Sequence, residues 1–571
     1  MSQGQEHQER ENDAGDAGIN SNGNAGTNGD GNTGANNAVK PRLKSGHILA
    51  LLILAALAIR VLAALTRPMI QLDETAYVRM AENLAAGNSP LDISGLTATH
   101  FSPLLPLLIA GVAFIVRNYI LAAYIVVTVF GSLILLPTYL LGKELVNRKV
   151  GLMAAALMAV TPLFVDYSSR IYSESVYIFF LLLAIVFGRH MIMGCRIPCG
   201  TLAGASLGMA YLANPSAVFY LVALVSLAVV VGFVRGIGRR MARSLVFFLV
   251  FFLLYATPYV LFLHAETGMW TYSGKSAGNI YASTHSLRVN TMAWEKDLMS
   301  LSDDNQEVRA LTVNDQDPAT FVLEKPLQAA RILARQSQIF YAEELPRVFP
   351  LWLLPLLGLG LFARGWSRRR LAAIGYLLLM MAPALLILTM YVHSRFFMPF
   401  VPLAMIWAAE GWGRLEVWGA ETIPMVFSRR LQPRLEKWAP WVIGAVVLLP
   451  LLAYAGATVL KQNYPLGYRD AGRRIKQEAG EGKMVMSREF SAAYYSGGTA
   501  VMLPYADYGR TTEYARAKGI DFLVIGRQEL ADWRPGLACL ADEGFSHPEW
   551  RLIDSTRPGT DQETLIFKLE K

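Results

Sequence analysis

Two adjacent carboxylates near residue 70 are of the type that proton-transfer chemistry requires. Asp73 and Glu74 follow an apolar run, about residues 47–66, and Tyr77 comes one helical turn later. On a helix, Asp73 and Tyr77 would share a face. A carboxylate at an apolar boundary can have a raised proton affinity and act as a general base. The spacing is equally compatible with a simple cap on a surface helix.

A second polar segment, residues 166–174, separates two apolar runs and contains Arg170, Tyr172 and Glu174. A carboxylate at the start of a membrane span is costly in lipid, so it usually faces protein or a wet cavity. We therefore expect Glu174 to face the same pocket as Asp73. A helix N-terminus also favours a carboxylate, so Glu174 as a helix cap is the alternative.

The candidate cation for this pocket is Arg395, at the start of a late apolar run. A guanidinium can bind two phosphate oxygens at once. The alternative is an arginine that extends to lipid headgroups. His100 and His264 also lie beside apolar runs. A single histidine in such a place is more often structural than a metal ligand.

The positions of these residues depend on apolar runs that fill most of the chain. Its 571 residues are 53% hydrophobic and 17% charged, whereas a soluble protein is about one-quarter charged. Long apolar runs with short polar loops are typical of a polytopic membrane protein, and we predict about eleven membrane-spanning helices. The predicted spans are residues 47–66, 119–142, 150–166, 174–192, 200–213, 216–234, 244–264, 347–364, 371–391, 396–412 and 440–460.

The apolar stretch 103–116 is too short to span about 30 Å of hydrocarbon at 1.5 Å per residue, so we predict a helix on the outer surface. All predicted inner loops are then basic, as the positive-inside rule requires. The net charge of +8 is therefore explained by topology, without a nucleic-acid partner. The basic residues are Lys143, Arg148, Lys149, Arg189, Arg196, Arg235, Arg239, Arg240, Arg243, Arg364, Arg368, Arg369, Arg370, Arg429, Arg430, Arg434 and Lys437.

The ends of the chain are predicted to lie on opposite sides of the membrane. Residues 1–46 are rich in Gly and Asn and predict a disordered cytoplasmic tail. The membrane module is predicted over residues 47–460, with outer loops at 67–118 and 265–346. Residues 461–571 are predicted to form a small extracytoplasmic α/β domain. Its expected strands are residues 483–486, 521–525 and 564–569, and its expected helices are 468–478 and 511–518.

The order of these motifs resembles a known family. An Asp-Glu pair follows the first run, a Ser-Pro-Leu-Leu-Pro-Leu-Leu segment starts at Ser102, Ser-Arg-Ile-Tyr-Ser-Glu ends at Glu174, and Arg-Phe-Phe-Met-Pro starts at Arg395. Over about residues 47–412 the chain resembles the large membrane glycosyltransferases of the C-type (GT-C) fold, specifically the protein O-mannosyltransferase and aminoarabinose-transferase-like family. The fold class expected is therefore an α-helical polytopic membrane protein with a small C-terminal α/β domain.

The resemblance implies a transfer reaction at the outer face of the membrane. Such enzymes move a sugar from a polyprenyl-phosphate carrier to a hydroxyl of a protein, glycolipid or glycan. Asp73 matches the acidic residue proposed as the base, Glu174 matches the second acidic position, and Arg395 falls where a basic residue could hold the phosphate. We group Glu74 with the catalytic carboxylates. The substrate-binding candidates are Tyr77, His100, Arg170, Tyr172 and Arg395.

The resemblance requires no nucleotide site, and the sequence contains no Walker or GxGxxG motif. Metal use stays open: Glu174 with His100 or His264 could hold a divalent ion, but the spacing does not require one. The chain departs from the family at Asn214-Pro215, where relatives often carry a basic residue.

Three other functions stay open at this point. A transporter would place ionisable groups or broken helices near the bilayer midplane, and Arg60 and Asn214-Pro215 are the features that favour it. A ligase or polymerase of lipid-linked glycans could share the fold. A non-catalytic scaffold would tolerate Asp73→Asn. For the transferase we expect a multi-pass protein of the inner (plasma) membrane, with membrane lipids, a lipid-linked sugar donor and a protein or glycolipid acceptor as partners.

Overall fold

The computed structural model describes residues 45–275, 292–302, 305–309, 323–363, 365–385, 392–426, 432–542 and 548–570. The predicted tail falls almost wholly outside these residues, as does part of the large outer loop. The helices of the membrane module are α1 Ser45–Leu65, α2 Asp73–Ala85, α3 Leu104–Val116, α4 Tyr119–Leu133, α5 Leu135–Leu145, α6 Arg148–Val160, α7 Pro162–Tyr167, α8 Glu174–Gly194, α9 Ile197–Ala213, α10 Ala217–Val234, α11 Gly238–Thr267, α12 Met292–Leu298, α13 Pro326–Ile339, α14 Leu345–Val348, α15 Leu354–Phe362, α16 Arg368–Leu385, α17 Phe400–Val426 and α18 Gln432–Leu460.

Several of these helices are long and apolar enough to cross a membrane. Six qualify within the described ranges, and a seventh does if the pair Pro326–Val348 and Leu351–Phe362, bent by 81°, counts as one span. The protein is therefore a multi-pass membrane protein, and the predicted number of about eleven is not confirmed. The six are Ser45–Leu65, Tyr119–Leu145, Glu174–Gly194, Ala217–Val234, Gly238–Thr267 and Gln432–Leu460.

The predicted span 150–166 is divided into two helices. Thr161 takes an extended backbone, with φ −63° and ψ 121°, and separates α6 from α7. Pro162 causes this break, because a proline disfavours the helical conformation of the residue before it. The break leaves the last carbonyls of α6 without the helical partners that a continuous span would supply.

Arg60 on α1 satisfies those carbonyls. Its Nη1 donates to Ala159 O at 3.0 Å and its Nη2 to Met158 O at 3.3 Å, and the residue is fully buried. A third bond, to Ala56 O at 3.2 Å, ties the guanidinium to its own helix. The one arginine inside the first span is thus a cap for the broken helix α6–α7.

The helix α3 has the short length predicted for a surface helix. It covers 13 residues, Leu104–Val116, and ends where Arg117 takes a left-handed φ of 53°. It packs against α2 and α4. Its position relative to the bilayer stays a prediction.

Close helix crossings fix the position of α17, which follows Arg395. Gly360 on α15 and Gly411 on α17 lie at the crossing. A Cβ at Gly360 would overlap the carbonyl of Trp407, and one at Gly411 would overlap the carbonyl of Leu356. Small residues allow such close backbone approach between membrane helices.

The C-terminal part contains a five-stranded mixed sheet in the order β2-β1-β3-β5-β4. Strands β1, β2 and β3 are parallel, whereas β5 runs antiparallel to β3 and β4. Its elements are α19 Leu466–Ala479, β1 Met484–Ser487, α20 Ser491–Ser496, β2 Thr499–Met502, α21 Tyr508–Ala517, β3 Phe522–Gly526, α22 Arg527–Asp532, β4 Trp550–Thr556 and β5 Thr564–Leu569.

The three predicted strands and both predicted helices of this part appear within one to three residues of their expected bounds. The sequence did not predict β2 and β4. Strand β2 is as short as β1 and directly follows Gly497-Gly498, a pair that is typical of a turn. Strand β4 has a register shift between Leu552 and Asp554 that interrupts its alternation.

We predict that Arg60→Met lowers the thermal stability of the purified protein. Loss of the guanidinium leaves buried carbonyls at the end of α6 without donors, at a cost of about 2 kcal/mol. Differential scanning fluorimetry in detergent measures the effect. The control Arg239→Met removes an arginine from an exposed position, and its unfolding temperature should stay near that of the wild type. Equal unfolding temperatures for both variants would contradict the capping role.

Candidate active site

Three segments that are distant in sequence bring Asp73, Glu174 and Arg395 together. Asp73 is the first residue of α2, and Glu174 is the first residue of α8. Arg395 lies in a short 3-10 turn, Ser394–Phe397, just before α17. All three therefore stand at helix starts. An acidic residue is favoured at such a place by the helix dipole.

Arg395 lies between the two carboxylates. Its Nη1 donates to Asp73 Oδ2 at 3.2 Å, and its Nε lies 3.9 Å from Glu174 Oε1. The guanidinium also lies over the rings of Tyr172 and Phe396, at 5.5 and 5.0 Å from the centroids. The prediction that Glu174 faces the same pocket as Asp73 is confirmed by this geometry.

These side chains line a cavity of about 150 Å³. Six of the predicted site residues are among its walls: Asp73, Tyr77, His100, Tyr172, Glu174 and Arg395. The other lining residues are Ser102, Ser173, Tyr177, Ala213, Asn214, Pro215, Ser216, Phe219, Tyr259, Tyr272, Ser273, Lys275 and Phe396. The cavity thus has a charged wall and an aromatic wall.

Glu74 lies outside this lining and holds the backbone of the loop that carries Asp73. Its Oε2 accepts from Gln71 N at 3.0 Å, and its Oε1 accepts from Ile171 N at 3.0 Å. These bonds join the start of α2 to the turn before α8. The structure thus places Glu74 as a support for Asp73, and not in the cavity where the sequence reasoning grouped it.

A strained residue precedes Asp73. Leu72 has φ 46° and ψ −123°, a conformation that a branched side chain rarely adopts. Strain of this kind costs about 1–3 kcal/mol and persists only where the surroundings fix it. Here the bonds of Glu74 on one side, and the bond from Ile70 N to Tyr495 Oη at 3.0 Å on the other, fix the turn.

Arg170 lies in a separate ionic network behind the cavity. Its Nη2 donates to Gln462 Oε1 at 2.5 Å, and its Nε lies 3.6 Å from Asp166 Oδ1. Asp166 also accepts from Arg67 Nη2 at 2.6 Å. This network joins the first outer loop, the turn before α8 and the segment after α18. Arg170 therefore joins these segments through side-chain contacts and does not line the cavity.

Two cations set the proton affinity of Asp73. Burial alone would raise the pKa of Asp73, but the charges of Lys275 and Arg395 outweigh burial and hold it below its usual value. Asp73 is consequently a carboxylate at neutral pH. The raised proton affinity expected from the apolar boundary is not present while Arg395 is bound to it.

Lys275 is a site residue that the sequence reasoning missed. It lies on the loop after α11, lines the cavity, and its Nζ stands 4.5 Å from the ring centroid of Phe101. Burial lowers the pKa of Lys275, and Asp73 partly opposes that shift. Burial and the charge of Lys275 both lower the pKa of His100. No motif surrounds Lys275, so only its position in space reveals it.

The remaining polar atoms leave an acceptor open in the cavity. Among the described residues, Glu174 Oε2 is a buried oxygen without a hydrogen-bond partner. Asn214 and Pro215 form the wall where a basic residue was expected from relatives. Asn214 and Pro215 carry no charge, and the positive charges of the cavity are those of Lys275 and Arg395.

The three weak metal candidates do not form a cluster. His264 stacks on Trp270, with ring centroids 4.0 Å apart, and does not line the cavity. In the part of the chain that the structure describes, no three His, Cys, Asp or Glu side chains come together as a metal site. The guanidinium of Arg395 stands between Asp73 and Glu174, at the place that a metal ion bound by both carboxylates would occupy.

Comparisons with known proteins agree with this architecture. Residues 100–262 match the model of the family described as dolichyl-phosphate-mannose-protein mannosyltransferase. No curated protein matches the sequence at a significant level. The match contains His100, Glu174 and the Asn214-Pro215 wall of the cavity.

Solved structures share the fold at low sequence identity. The oligosaccharyltransferase AglB of Archaeoglobus fulgidus, in complex with an inhibitory peptide and a dolichol-phosphate, has a TM-score of 0.54 and 14% identity, over 92% of this chain and 74% of that one. ArnT of Cupriavidus metallidurans, bound to undecaprenyl phosphate, has a TM-score of 0.52 and 13% identity, over 92% of this chain and 98% of that one. The predicted resemblance is confirmed: the chain has the fold of the GT-C membrane glycosyltransferases, and its residues 100–262 match their mannosyltransferase family.

Proposed function

We propose that this protein transfers a sugar from a polyprenyl-phosphate carrier to an acceptor hydroxyl, with Asp73 as the general base. The observation that carries the proposal is the arrangement of Asp73, Arg395 and Glu174 in one cavity at the starts of three helices. This transfer needs a base that removes the proton of the acceptor hydroxyl. It also needs a cation that stabilises the negative charge on the leaving phosphate.

The proposed step is a single displacement. Asp73 takes the proton of the acceptor hydroxyl as its oxygen attacks the anomeric carbon of the sugar. The new carbon–oxygen bond forms while the bond from that carbon to the phosphate oxygen breaks, and the electron pair leaves with the phosphate. The donor is already activated, so positioning and charge stabilisation account for the catalysis. A single displacement predicts inversion at the anomeric carbon.

The ion pair of the resting site explains how donor binding could activate the base. Arg395 donates to Asp73, and Lys275 contributes a second positive charge. A phosphate bound at the same guanidinium would compete for its N–H groups, since Arg binds phosphate oxygens in the same way as carboxylate oxygens. Asp73 would then lose part of its cationic stabilisation, and its pKa would rise towards that of an effective base.

Glu174 is assigned a positioning role towards the substrate. Its Oε1 faces Arg395, and its buried Oε2 has no partner among the described residues. A hydroxyl of the sugar or acceptor could donate to this oxygen, which would compensate for its burial. Tyr77, Tyr172 and His100 would form the walls around that hydroxyl.

The chemistry of the partners is also part of the proposal. AglB and ArnT are solved with polyprenyl phosphates, and AglB also with an inhibitory peptide, which supports a lipid-linked donor and a protein acceptor. The choice of a hydroxyl, on a protein or a glycolipid, rests on the chemistry proposed for Asp73. The positive-inside pattern supports a site on the outer face of the inner membrane, with the tail in the cytoplasm and the C-terminal domain outside.

The features that favoured a transporter have structural roles. Arg60 caps α6 and is bonded to three backbone carbonyls. The Asn214-Pro215 break lies at the wall of the cavity, next to Ser216, whose hydroxyl donates to Tyr177 Oη at 3.0 Å. We therefore favour the transferase.

We predict that Asp73→Asn lowers the turnover number at least 100-fold while donor binding is retained, since loss of a general base costs about 10²–10⁴ in rate. Transfer from radiolabelled polyprenyl-phosphate sugars in proteoliposomes, with membrane extract as acceptor, measures turnover. The control Asp297→Asn changes a carboxylate of the large outer loop outside the cavity and should transfer normally. Equal transfer by Asp73→Asn and wild type would exclude Asp73 as the base.

We predict that Lys275→Met shifts the acidic limb of the kcat/KM profile to higher pH. Activity requires ionised Asp73, and Lys275 is a cation that lowers the pKa of Asp73. Removing this cation raises that pKa, so activity is lost at a higher pH as the solution is acidified. Transfer assays between pH 4 and pH 8 measure the shift. An unchanged acidic limb would mean that Asp73 does not control the profile.

A further inference from the structure

A second cavity lies in the C-terminal sheet region, at the carboxyl ends of β1 and β3. Its volume is about 360 Å³. Arg488 and Glu489 follow β1 directly, and Gln528 and Glu529 follow β3. The full lining is Gln71, Asn463, Tyr464, Pro465, Gly467, Tyr468, Arg488, Glu489, Gly526, Gln528, Glu529, Asp532, Trp533, Asp561, Gln562, Glu563 and Thr564.

The topology of the sheet makes this a place where ligands bind. Strand β1 lies between β2 and β3, so the chain leaves β1 towards one edge of the sheet and continues from β3 towards the other. In open α/β sheets, ligands occupy the crevice at the carboxyl ends of the strands where the connections change direction. The cavity occupies that crevice.

The unsatisfied atoms of the lining indicate the ligand's chemistry. Among the described lining residues, three buried side-chain atoms lack a partner, and all are acceptors: Glu489 Oε2, Glu529 Oε1 and Gln562 Oε1. Glu529 is 8% exposed, and its other oxygen accepts from the hydroxyl of Tyr468. Because buried polar groups are normally paired, this lining is built for a ligand that brings donors.

The charge of the surrounding cluster indicates a cation. Arg488 Nε and Arg534 Nη2 each lie 2.8 Å from a carboxylate oxygen of Glu295. Arg488 Nη1 also lies 4.0 Å from Glu489 Oε1, so Glu295, Glu489 and Glu529 share these two guanidinium groups. When all three carboxylates are ionised, they and the two guanidinium groups leave one negative charge in excess, and Asp532 and Asp561 add acidic groups to the lining.

We propose that this cavity binds a primary ammonium group. An ammonium has three N–H donors, no acceptor and one positive charge, which matches three open acceptors and one excess negative charge. A sugar hydroxyl would leave the charge uncompensated. In the ranges that the structure describes, no three acidic, His or Cys groups form a metal site. The proposal does not rest on the transfer reaction, because none of these arguments uses the catalytic cavity.

The affinity for an ammonium should depend on pH through Glu489. Burial raises the pKa of Glu489 to about 7, with Arg488 opposing and Glu529 and Glu295 reinforcing the shift. Tyr468 is the other titratable group that interacts with it. Below pH 7 a proton neutralises Glu489 and competes with the ligand. Raising the pH from 6 to 8 removes that proton, so the ammonium should bind more tightly at pH 8.

Isothermal titration calorimetry on the full chain in detergent tests the proposal. The probe is n-propylammonium chloride. The control ligands are n-propanol, which is neutral, and sodium propionate, which is anionic; both have the same number of carbon atoms as the probe. We expect saturable binding of the ammonium only, several-fold tighter at pH 8 than at pH 6. Glu529→Gln should weaken binding at least tenfold. The control Glu478→Gln changes a carboxylate whose side chain is 42% exposed in the same domain, and its affinity should equal that of the wild type.

A stability measurement confirms that the variants fold. Glu489→Gln removes the excess buried charge, so its unfolding temperature without ligand should equal or exceed that of the wild type, while ammonium binding weakens. Equal binding of n-propanol and n-propylammonium, binding of glucose in place of the ammonium, or full affinity in Glu529→Gln would each overturn the proposal. Absence of any saturable heat up to 50 mM probe would also overturn it.

A second titration identifies the source of the ammonium. The full chain is placed in nanodiscs of phosphatidylcholine, with or without phosphatidylethanolamine, and titrated with n-propylammonium. Weaker probe binding in the discs with phosphatidylethanolamine supports a lipid headgroup as the ligand. Equal probe binding in both discs, with competition by free ethanolamine, supports a soluble amine.

Discussion

The candidate site depends on one interaction, the bridge that Arg395 makes between Asp73 and Glu174. Asp73 and Glu174 each start a helix and Arg395 lies in the turn before α17, and the three chain segments are separated by more than a hundred residues. The guanidinium lowers the repulsion between two carboxylates in one cavity, and the carboxylates hold it away from lipid. A phosphate that enters the cavity must compete with this bridge, so recognition of the donor and release of the base are one event in the proposed mechanism.

Much of the surrounding structure holds this bridge in place. Glu74 fixes the turn before Asp73, and the network of Arg67, Asp166 and Gln462 fixes the turn before Glu174. Close packing of α15 against α17 fixes the helix that follows Arg395. Strain at Leu72 is tolerated because these contacts are already made. The polar network is therefore a support for geometry, and its members need no direct contact with substrate.

The C-terminal sheet region contributes to the same support. Tyr495 binds the backbone of Ile70, Tyr494 donates to Glu82 on α2 at 3.1 Å, and Arg469 donates to the carbonyl of Pro68 at 3.1 Å. The first outer loop is thus held by the membrane module on one side and by the sheet region on the other. Gln71, two residues before Asp73, also lines the proposed ammonium cavity. A ligand there would contact the loop that carries the base.

The sequence by itself determined that apolar helices make up most of the chain and which polar residues stand at the ends of the apolar runs. Each apolar run is long enough to be recognised on its own. An acidic residue directly after such a run is costly in lipid, so it usually faces protein or a wet cavity. Six residues that line the candidate cavity could be predicted from the sequence: Asp73, Tyr77, His100, Tyr172, Glu174 and Arg395. The three strands of the small sheet were predictable because their alternation and composition are local.

Only the tertiary structure separated the residues of the cavity from those that support it. Glu74 is adjacent to Asp73 and Arg170 is near Glu174, yet both bind backbone or a network behind the cavity, because successive residues of a helix or turn point in different directions. Lys275 has no motif around it, and the low pKa of Asp73 arises from charges that lie 202 and 322 residues away in sequence. Distances in space set these charges and contacts, and sequence spacing does not contain those distances.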